Sequence, residues 1–287
     1  MERRTKSYLQ LMKPGITLSN TIAAMSGFFL AASMLGFDPK IFIGVTIGVA
    51  LVIASACVVN NIIDRDIDAK MKRTQKREVA SGNISISNAI LYAVALGTGG
   101  FLLLFVWTNL LTTVLGVISY VWYVVIYGIA KRTTPLSTII GGVCGALPPV
   151  AGYTALTNQI DIVAVLLFAM MMVWQMPHFY AVAIFRRDEY AAAKLPVWAV
   201  RYGSESARRQ MIVWILAFLA LAPMLAFTGA VHDAYLLIMV TTGVYWVVQA
   251  IGYPNETDKQ WAWRIFKSSI IVLLVMSLSV ALGGYLI

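Results

Sequence analysis

Three polar side chains suited to binding a metal ion recur at intervals of four residues, just beyond an apolar run. They are Asn60, Asp64 and Asp68. On a helix, residues spaced four and eight apart lie within about 80° of one another, so the amide and both carboxylates share one face, while Asp66 points elsewhere. Two stacked carboxylates repel each other unless a cation lies between them. Because Mg²⁺ prefers such oxygen ligands, the pattern predicts a magnesium site.

A dense basic segment follows the carboxylates. Magnesium in proteins usually binds through one or two carboxylates together with substrate phosphates, so the neighbouring cations predict a phosphorylated ligand. These cations are Lys70, Lys72, Arg73, Lys76 and Arg77. A solvated loop beside a membrane is the alternative interpretation. It accounts for the basic residues but not for carboxylates placed next to hydrocarbon.

The elements that must position these residues are strongly apolar. Of the 287 residues, 60% are hydrophobic and only 12% are charged. A bilayer is crossed by roughly 20 helical residues, and unpaired backbone groups are costly in lipid. We therefore predict an all-α polytopic membrane protein, with about nine transmembrane helices in one domain over residues 1–287. The predicted spans are about 16–35, 41–62, 86–106, 110–130, 136–156, 162–183, 210–228, 234–252 and 267–287.

The net charge of +9 could indicate a nucleic-acid partner, but the positions of the basic residues argue against one. With a cytoplasmic N-terminus, the N-terminal segment and the loops after spans two, four, six and eight lie inside. They contain 21 of the 22 Lys and Arg residues, and Lys40 is the exception. The positive-inside rule explains this distribution. We predict a cell-membrane protein with its long basic loops in the cytoplasm, its C-terminus outside and no nucleic-acid partner.

The loops after spans two and six are the predicted sites of chemistry, because each is about 25 residues long and long loops between packed helices are often functional. The two cysteines, Cys57 and Cys144, lie in predicted spans. Since they form no CxxC pattern, we predict that they are small core residues, not a disulfide or a metal site.

Several motifs resemble a known family. Asn60-Asn61-x-x-Asp64-Arg65-Asp66-x-Asp68 resembles the first aspartate-rich motif of the UbiA superfamily of intramembrane prenyltransferases. Two further stretches, "TIIGGVCGALPPVAGY" (138–153) and "WQMPHFYAVAIFRRDEY" (174–190), are similar to the protohaem IX farnesyltransferase branch, also called haem O synthase, as is Tyr127-x-x-x-Lys131-Arg132. The resemblance extends from "LMKPGIT" (11–17) to the last span. Like that branch, the chain lacks the superfamily's second aspartate-rich motif after span six.

The resemblance implies a reaction, a cofactor and partners. Farnesyl diphosphate loses its diphosphate, a vinyl group of haem B attacks the allylic cation, and water captures the new cation to give haem O. Mg²⁺ is the implied cofactor, haem B is a substrate, and the lipid bilayer surrounds the protein. Haem A synthase or a terminal oxidase under assembly is an implied downstream partner. The oligomeric state stays open.

The resemblance also implies roles for individual residues. The implied metal ligands are Asn60, Asp64 and Asp68. The implied catalytic residues are Asp64, Asp68, Arg73 and Lys131. The implied diphosphate ligands are Arg65, Lys70, Arg73, Arg77, Lys131 and Arg132. The other implied substrate contacts are Tyr123, Tyr127, Trp174, Gln175, His178, Arg186, Arg187, Asp188 and Lys194.

Some of these residues have two interpretations. The rings of Tyr123, Tyr127 and Trp174 either shield the cation or simply pack within the membrane. His178 either ligates the haem iron or makes a polar contact inside the bundle. We assign the loop after span two mainly to diphosphate and metal, and the end of span six to haem.

Three other functions remain open from the sequence. A prenyltransferase acting on an aromatic quinone precursor shares the same chemistry. A secondary transporter fits nine spans, although transporters usually place polar sites near the midplane. A haem-binding assembly protein without catalysis is the third. Turnover of farnesyl diphosphate by the purified protein separates the last two from an enzyme.

Overall fold

The computed structural model describes residues 2–252 and 256–285, and every regular element in those ranges is helical. Within them, nine helical spans are long and apolar enough to cross a membrane. In order, spans one to nine are Pro14–Leu35, Pro39–Ile63, Ile86–Trp107, Leu110–Thr133, Ser137–Thr157, Ile162–Phe185, Trp198–Thr228, Asp233–Ile251 and Asp258–Leu282. Shorter helices outside the spans are Glu2–Leu11, Arg65–Asp68 and Arg187–Ala192. The predicted all-α class with nine spans is confirmed.

Two predicted boundaries are wrong. Span seven begins at Trp198 and not near 210, and span nine begins at Asp258 and not near 267. The added segment of span nine is polar and continues the helix past the apolar core. The added segment of span seven begins as a separate short helix, because Gly203 has a non-helical φ of 86° that breaks the span between Trp198 and the apolar run. A capping box between Thr257 and Gln260 starts span nine. Helix nine ends at Leu282, while residues 286 and 287 of its predicted span lie outside the described ranges.

Three spans contain a change of helical type or a break. Span five breaks at Ala146, ahead of Pro148 and Pro149, because proline has no backbone N–H to donate. In span four, a π-helical turn separates two α-helical segments, and span seven ends in a 3₁₀ segment. The segments of span four are Leu110–Val121, Trp122–Tyr127 and Gly128–Thr133, and the 3₁₀ segment is Ala222–Thr228.

Spans one and five approach so closely that only glycine fits between them. A Cβ atom at Gly27 would lie 1.9 Å from the carbonyl oxygen of Pro149, and one at Gly152 would lie 1.7 Å from that of Ala24. Small residues let helix backbones approach closely where lipid supplies no hydrophobic drive for helices to associate. This contact fixes the broken span five against span one.

The charged end of the bundle is covered by two long loops, which we call the first loop (64–85) and the second loop (186–197). An apolar cluster joins them through Ile67 and Met71 of the first loop and Ala193 and Leu195 of the second. A second cluster joins the first loop to the N-terminal helix, where Leu11 packs with Val79 and Ile84. Both loops are therefore folded parts of the structure. Because span seven begins early, the second loop is shorter than the predicted 25 residues.

Candidate active site

Helical backbone geometry continues past the end of span two and keeps three polar side chains in line. The N–H of Asp64 donates to the carbonyl of Asn60 at 2.9 Å, and that of Asp68 donates to the carbonyl of Asp64 at 2.8 Å. The short helix Arg65–Asp68 follows directly from Asp64. Both carboxylates are buried, with 8% and 2% of Asp64 and Asp68 exposed. The structure thus brings all three predicted metal ligands together.

The carboxylate of Asp64 has three donors. Lys131 Nζ lies 2.5 Å from Oδ2, the side-chain amide of Asn60 donates to the same oxygen at 2.9 Å, and Arg132 approaches Oδ1 at 3.5 Å. Lys131 is itself buried. A buried charge is tolerated only when it is paired and hydrogen-bonded, and these contacts supply both for the carboxylate of Asp64.

The other two aspartates are paired differently. Arg77 binds Asp68 through two contacts of 2.8 Å from one guanidinium nitrogen to both carboxylate oxygens. Asp66 is exposed and bound by Arg132 in a bidentate fashion, at 2.9 and 2.8 Å. Hydrogen bonds from Arg132 lower the pKa of Asp66 to about 2. Asp66 therefore belongs to a surface ion pair, off the buried face.

Lys13 belongs to this site, although it is not among the residues predicted from the sequence. Its Nζ donates to Oδ1 of Asn60 at 2.5 Å across 47 residues of sequence. Its backbone has a positive φ of 50° just before span one, a conformation that favours glycine or asparagine. Loss of hydration lowers the pKa of Lys13 to about 8, and the charges of Asp64 and Asp68 partly oppose that shift. The lysine that precedes Pro14 in "LMKPGIT" was the only available signal.

The π-helical turn of span four carries an aromatic pair. The rings of Tyr123 and Tyr127 stack with centroids 5.7 Å apart, and Lys131 Nζ lies 5.4 Å from the centroid of Tyr127. Tyr127 also packs against Gly141, where a Cβ atom would lie 2.7 Å from the ring. Both tyrosines lie within electrostatic range of Asp64. The turn therefore places two ring faces beside the carboxylate cluster.

Basic side chains of the two loops converge near Asp68. Loss of hydration and then the charge of Arg186 lower the pKa of Arg73, and Arg77 acts on it in the same direction. Arg186 has one acidic partner, Glu189, at 3.3 Å. Positive charges that crowd together in this way favour binding of an anion.

Several predicted residues are not brought to the carboxylates. Arg65 is exposed and donates to the carbonyl of Ile62 at 3.2 Å. Asp188 pairs with Lys259 at 3.0 Å on the surface. Lys70, Arg187 and Lys194 are exposed. In the described part of the chain, no hydrogen bond or ion pair links these five predicted residues to Asp64 or Asp68.

The predicted residues of span six face two directions. Gln175 is buried and donates to the carbonyl of Gly142 in span five at 2.8 Å. Trp174 and His178 face span nine, where the indole N–H donates to the carbonyl of Ser269 at 2.8 Å and His178 Nδ1 lies 2.8 Å from the Ser269 hydroxyl. Ser269 was missed because 91 residues separate it from His178.

The donor set fits magnesium only together with a phosphate ligand. Among the described residues, no three His, Cys, Asp or Glu side chains gather closely enough to hold a metal alone. Mg²⁺ usually takes only a few ligands from the protein, and phosphate and water complete its coordination shell. The carboxylates of Asp64 and Asp68 and the amide oxygen of Asn60 match that small number of protein ligands. Cys57 and Cys144 are free and buried, as predicted.

The chain is similar to known proteins over nearly its whole length. The model of the UbiA prenyltransferase family matches residues 20–278. "Protoheme IX farnesyltransferase 2" of Chromobacterium violaceum is 44% identical over 282 residues, covering 97% of this chain and 93% of the relative. The protein of the same name from Pseudomonas putida (strain W619) is 42% identical over 280 residues, covering 97% and 94%.

Two solved structures share the fold. One, of digeranylgeranylglyceryl phosphate synthase in membranes, has a TM-score of 0.80 at 18% identity and covers 99% of both chains. The other, a UbiA homologue from Archaeoglobus fulgidus bound to GPP and Mg²⁺, has a TM-score of 0.66 at 14% identity and covers 96% of this chain and 99% of its own.

Proposed function

The chain belongs to the UbiA prenyltransferase family, and we propose that it transfers the farnesyl group of farnesyl diphosphate to a vinyl group of haem B. Water adds in the same reaction, so the products are haem O and diphosphate. The observation that carries the choice of substrates is the 44% identity, over 97% of the chain, to a protein named for this reaction. The buried carboxylates with cations around them fit the same chemistry.

The metal and diphosphate would occupy the end of span two. Asn60, Asp64 and Asp68 would hold Mg²⁺, as their oxygen donors and the Mg²⁺-bound solved neighbour suggest. Bound Mg²⁺ neutralises charge that develops on the departing diphosphate. Lys131 and Arg77 now neutralise the two carboxylates. With Mg²⁺ held by the carboxylates, Lys131 and Arg77 would be available to bind phosphate oxygens.

Further cations would complete the diphosphate site. Lys13 and Arg132 flank the carboxylates, while Arg73 and Arg186 approach from the loops. These fixed charges stabilise the leaving group as the bond from C1 to oxygen breaks, and each such contact is worth several kcal/mol (on the order of 3) in a site that excludes water.

The allylic cation needs shielding from water and from the wrong nucleophile. The rings of Tyr123 and Tyr127 stack on each other within electrostatic range of Asp64, and the Tyr127 ring already faces one cation, the ammonium of Lys131. Aromatic faces attract positive charge by about 0.5–2 kcal/mol. The vinyl carbon of haem then attacks C1, water takes the resulting cation, and its proton leaves to solvent.

The topology belongs to the same proposal. The chain is a multi-pass membrane protein, and its basic loops and N-terminus would face the cytoplasm by the positive-inside rule. Cysteine labelling from each side tests this, with Arg73, Lys131, Arg187 and Lys259 expected inside and Lys40 outside. Haem O would then pass to haem A synthase or to a terminal oxidase under assembly.

The decisive experiment uses purified full-length protein in lipid nanodiscs with haem B, farnesyl diphosphate and Mg²⁺, and it identifies products by mass. A product carrying the farnesyl group plus water supports the proposal. Farnesylation of 4-hydroxybenzoate in place of haem would assign the chain to the quinone-precursor prenyltransferases. Haem binding without turnover would make it a non-catalytic haem protein.

A further inference from the structure

The hydrogen bonds of Ser269 define which nitrogen of His178 carries a proton. The Ser269 hydroxyl lies 2.6 Å from the carbonyl oxygen of Phe266, and a carbonyl can only accept. The single hydroxyl proton is therefore used there. The 2.8 Å contact between Ser269 Oγ and His178 Nδ1 must then be donated by Nδ1–H. His178 has its proton on Nδ1, and in the neutral ring Nε2 carries a lone pair.

The neutral ring is the form that this position favours. His178 lies within span six, where an unpaired charge is costly. No acidic side chain pairs with it among the described residues. Its neighbours are aromatic and uncharged: Trp174, Phe179 and Phe266 surround the ring.

Only one edge of the imidazole remains accessible. Trp174 stacks on the ring at a centroid distance of 5.4 Å and 27° between planes, and Phe266 lies at 4.8 Å and 33°. Two aromatic rings therefore lie against the imidazole, and Nδ1 is bonded. Within the described residues, Nε2 has no hydrogen-bond partner. It is also not one of the fully enclosed polar atoms, so it is accessible from outside. The open atom is thus the one with the lone pair.

We propose that His178 Nε2 is an axial ligand of the iron of the porphyrin acceptor, with Ser269 as the residue that positions it. This inference rests on haem being the acceptor in the proposed function. An axial ligand needs a neutral ring that meets the metal edge-on, and metal-bound histidines commonly donate their other N–H to a fixed partner that sets the tautomer. His178 has all three properties.

The depth of His178 suits an acceptor beside the diphosphate site. It precedes Arg186 by eight residues, or about 12 Å along span six. Arg186 acts electrostatically on Arg73, near Arg77 and Asp68. An iron at Nε2 would therefore lie about two helical turns below Arg186, on the membrane side of the charged loops.

The test is a spectral titration of the purified full chain with haem B, without farnesyl diphosphate. We expect the wild type to show the absorption bands of histidine-ligated haem, and His178→Ala to lose them and to regain them when imidazole is added. His232→Ala is the matched control, because His232 is the second of two histidines and lies exposed before span eight. It should leave the spectrum unchanged.

Ser269→Ala separates positioning from ligation. It should keep the histidine-ligated bands but weaken haem binding 10–100-fold, roughly the effect of removing an outer partner of a ligating histidine. Unchanged affinity in Ser269→Ala would remove Ser269 from the proposal. A His178→Ala protein with wild-type spectrum and affinity would overturn the ligand assignment.

A second measurement does not depend on the folding of any variant. Resonance Raman spectra of ferrous wild-type protein should contain an iron–histidine stretching band that shifts on ¹⁵N-histidine labelling, and its absence overturns the proposal. The two proposals fail separately. Turnover without histidine ligation leaves the transferase function standing, whereas ligation without turnover leaves the iron site standing.

Discussion

The end of span two and the last third of span six hold their reactive groups in opposite ways. At span two, each buried carboxylate already has a basic partner, Lys131 for Asp64 and Arg77 for Asp68. At span six, His178 has a hydroxyl partner, one stacked ring and one tilted ring, and its Nε2 has no hydrogen-bond partner among the described residues. The first site must exchange partners to bind a ligand, whereas the second is arranged in advance.

The difference follows from charge. An ionised carboxylate inside a protein needs an opposite charge or hydrogen bonds even when no metal is bound, so basic side chains must pair with it in the metal-free protein. A neutral imidazole costs little to bury and can keep one nitrogen unpartnered. Substitutions at span two should therefore alter stability and catalysis together, while those at span six should mainly alter binding.

The largest expected effect is loss of a carboxylate at span two. Asp64→Asn and Asp68→Asn should each lower kcat by about 100-fold or more, because each removes an anionic ligand with little change of shape. Asp66→Asn should do far less, since Asp66 lies in an exposed ion pair. Turnover of folded, membrane-extracted protein measures this. An essential Asp66 with a dispensable Asp68 would contradict the shared-face geometry.

The coupling between Asp64 and Lys131 is the next largest effect. Lys131→Met alone should lower the free energy of unfolding by about 3 kcal/mol, because it leaves a buried carboxylate without its ammonium. The double variant Asp64→Asn/Lys131→Met should regain most of that stability but no activity. Unfolding of the wild type, of Asp64→Asn, of Lys131→Met and of the double variant in one detergent gives a double-mutant cycle, which measures the coupling energy of the pair. Additive losses would mean that the pair is not coupled.

Arg73 tests the division of labour between the two sites. Arg73→Ala should raise the KM for farnesyl diphosphate about tenfold, the equivalent of one charge-assisted hydrogen bond. Haem affinity should stay the same. Lys72→Ala is the matched control, as Lys72 is an exposed neighbour with the same charge. Weaker haem binding with an unchanged KM for farnesyl diphosphate would contradict the assignment of Arg73 to the diphosphate site.

The smallest expected effect tests whether the position of the Tyr127 ring matters for catalysis. Gly141→Ala should lower kcat about fivefold, because its Cβ would press on the Tyr127 ring and overpacking costs at least about 1 kcal/mol. Gly128→Ala is the control, since nothing lies within 4 Å of a Cβ there. Equal rates for the two variants would show that the ring position of Tyr127 does not matter.

Local patterns explain what could be predicted from the sequence. Nine spans follow from the length of apolar runs, and the shared face of Asn60, Asp64 and Asp68 follows from the helical period. The partners of these residues do not. Lys13 meets Asn60 across 47 residues and Ser269 meets His178 across 91, and no short-range period encodes such contacts.

Composition misled the prediction in one respect. The starts of spans seven and nine are polar, so an apolar criterion placed them 12 and 9 residues too late. The capping box of Thr257 starts span nine independently of hydrophobicity. Span seven starts after Val197 without a side-chain cap, and its first turn is separated from the apolar run by the break at Gly203. The same early start shortens the second loop and brings Leu195 against the first.

The π-helical turn Trp122–Tyr127 adds a residue to span four without turning Lys131 away from Asp64. Each hydrogen bond of a π-helical turn encloses one more residue than that of an α-helical turn. Loss of one residue from the turn would therefore restore a regular α-helix with Lys131 on nearly the same face. Loss of one residue from the α-helical segments on either side would instead rotate Lys131 by about 100° relative to the start of the span. Across related proteins, the turn should therefore tolerate the loss of one residue, and the segments beside it should not.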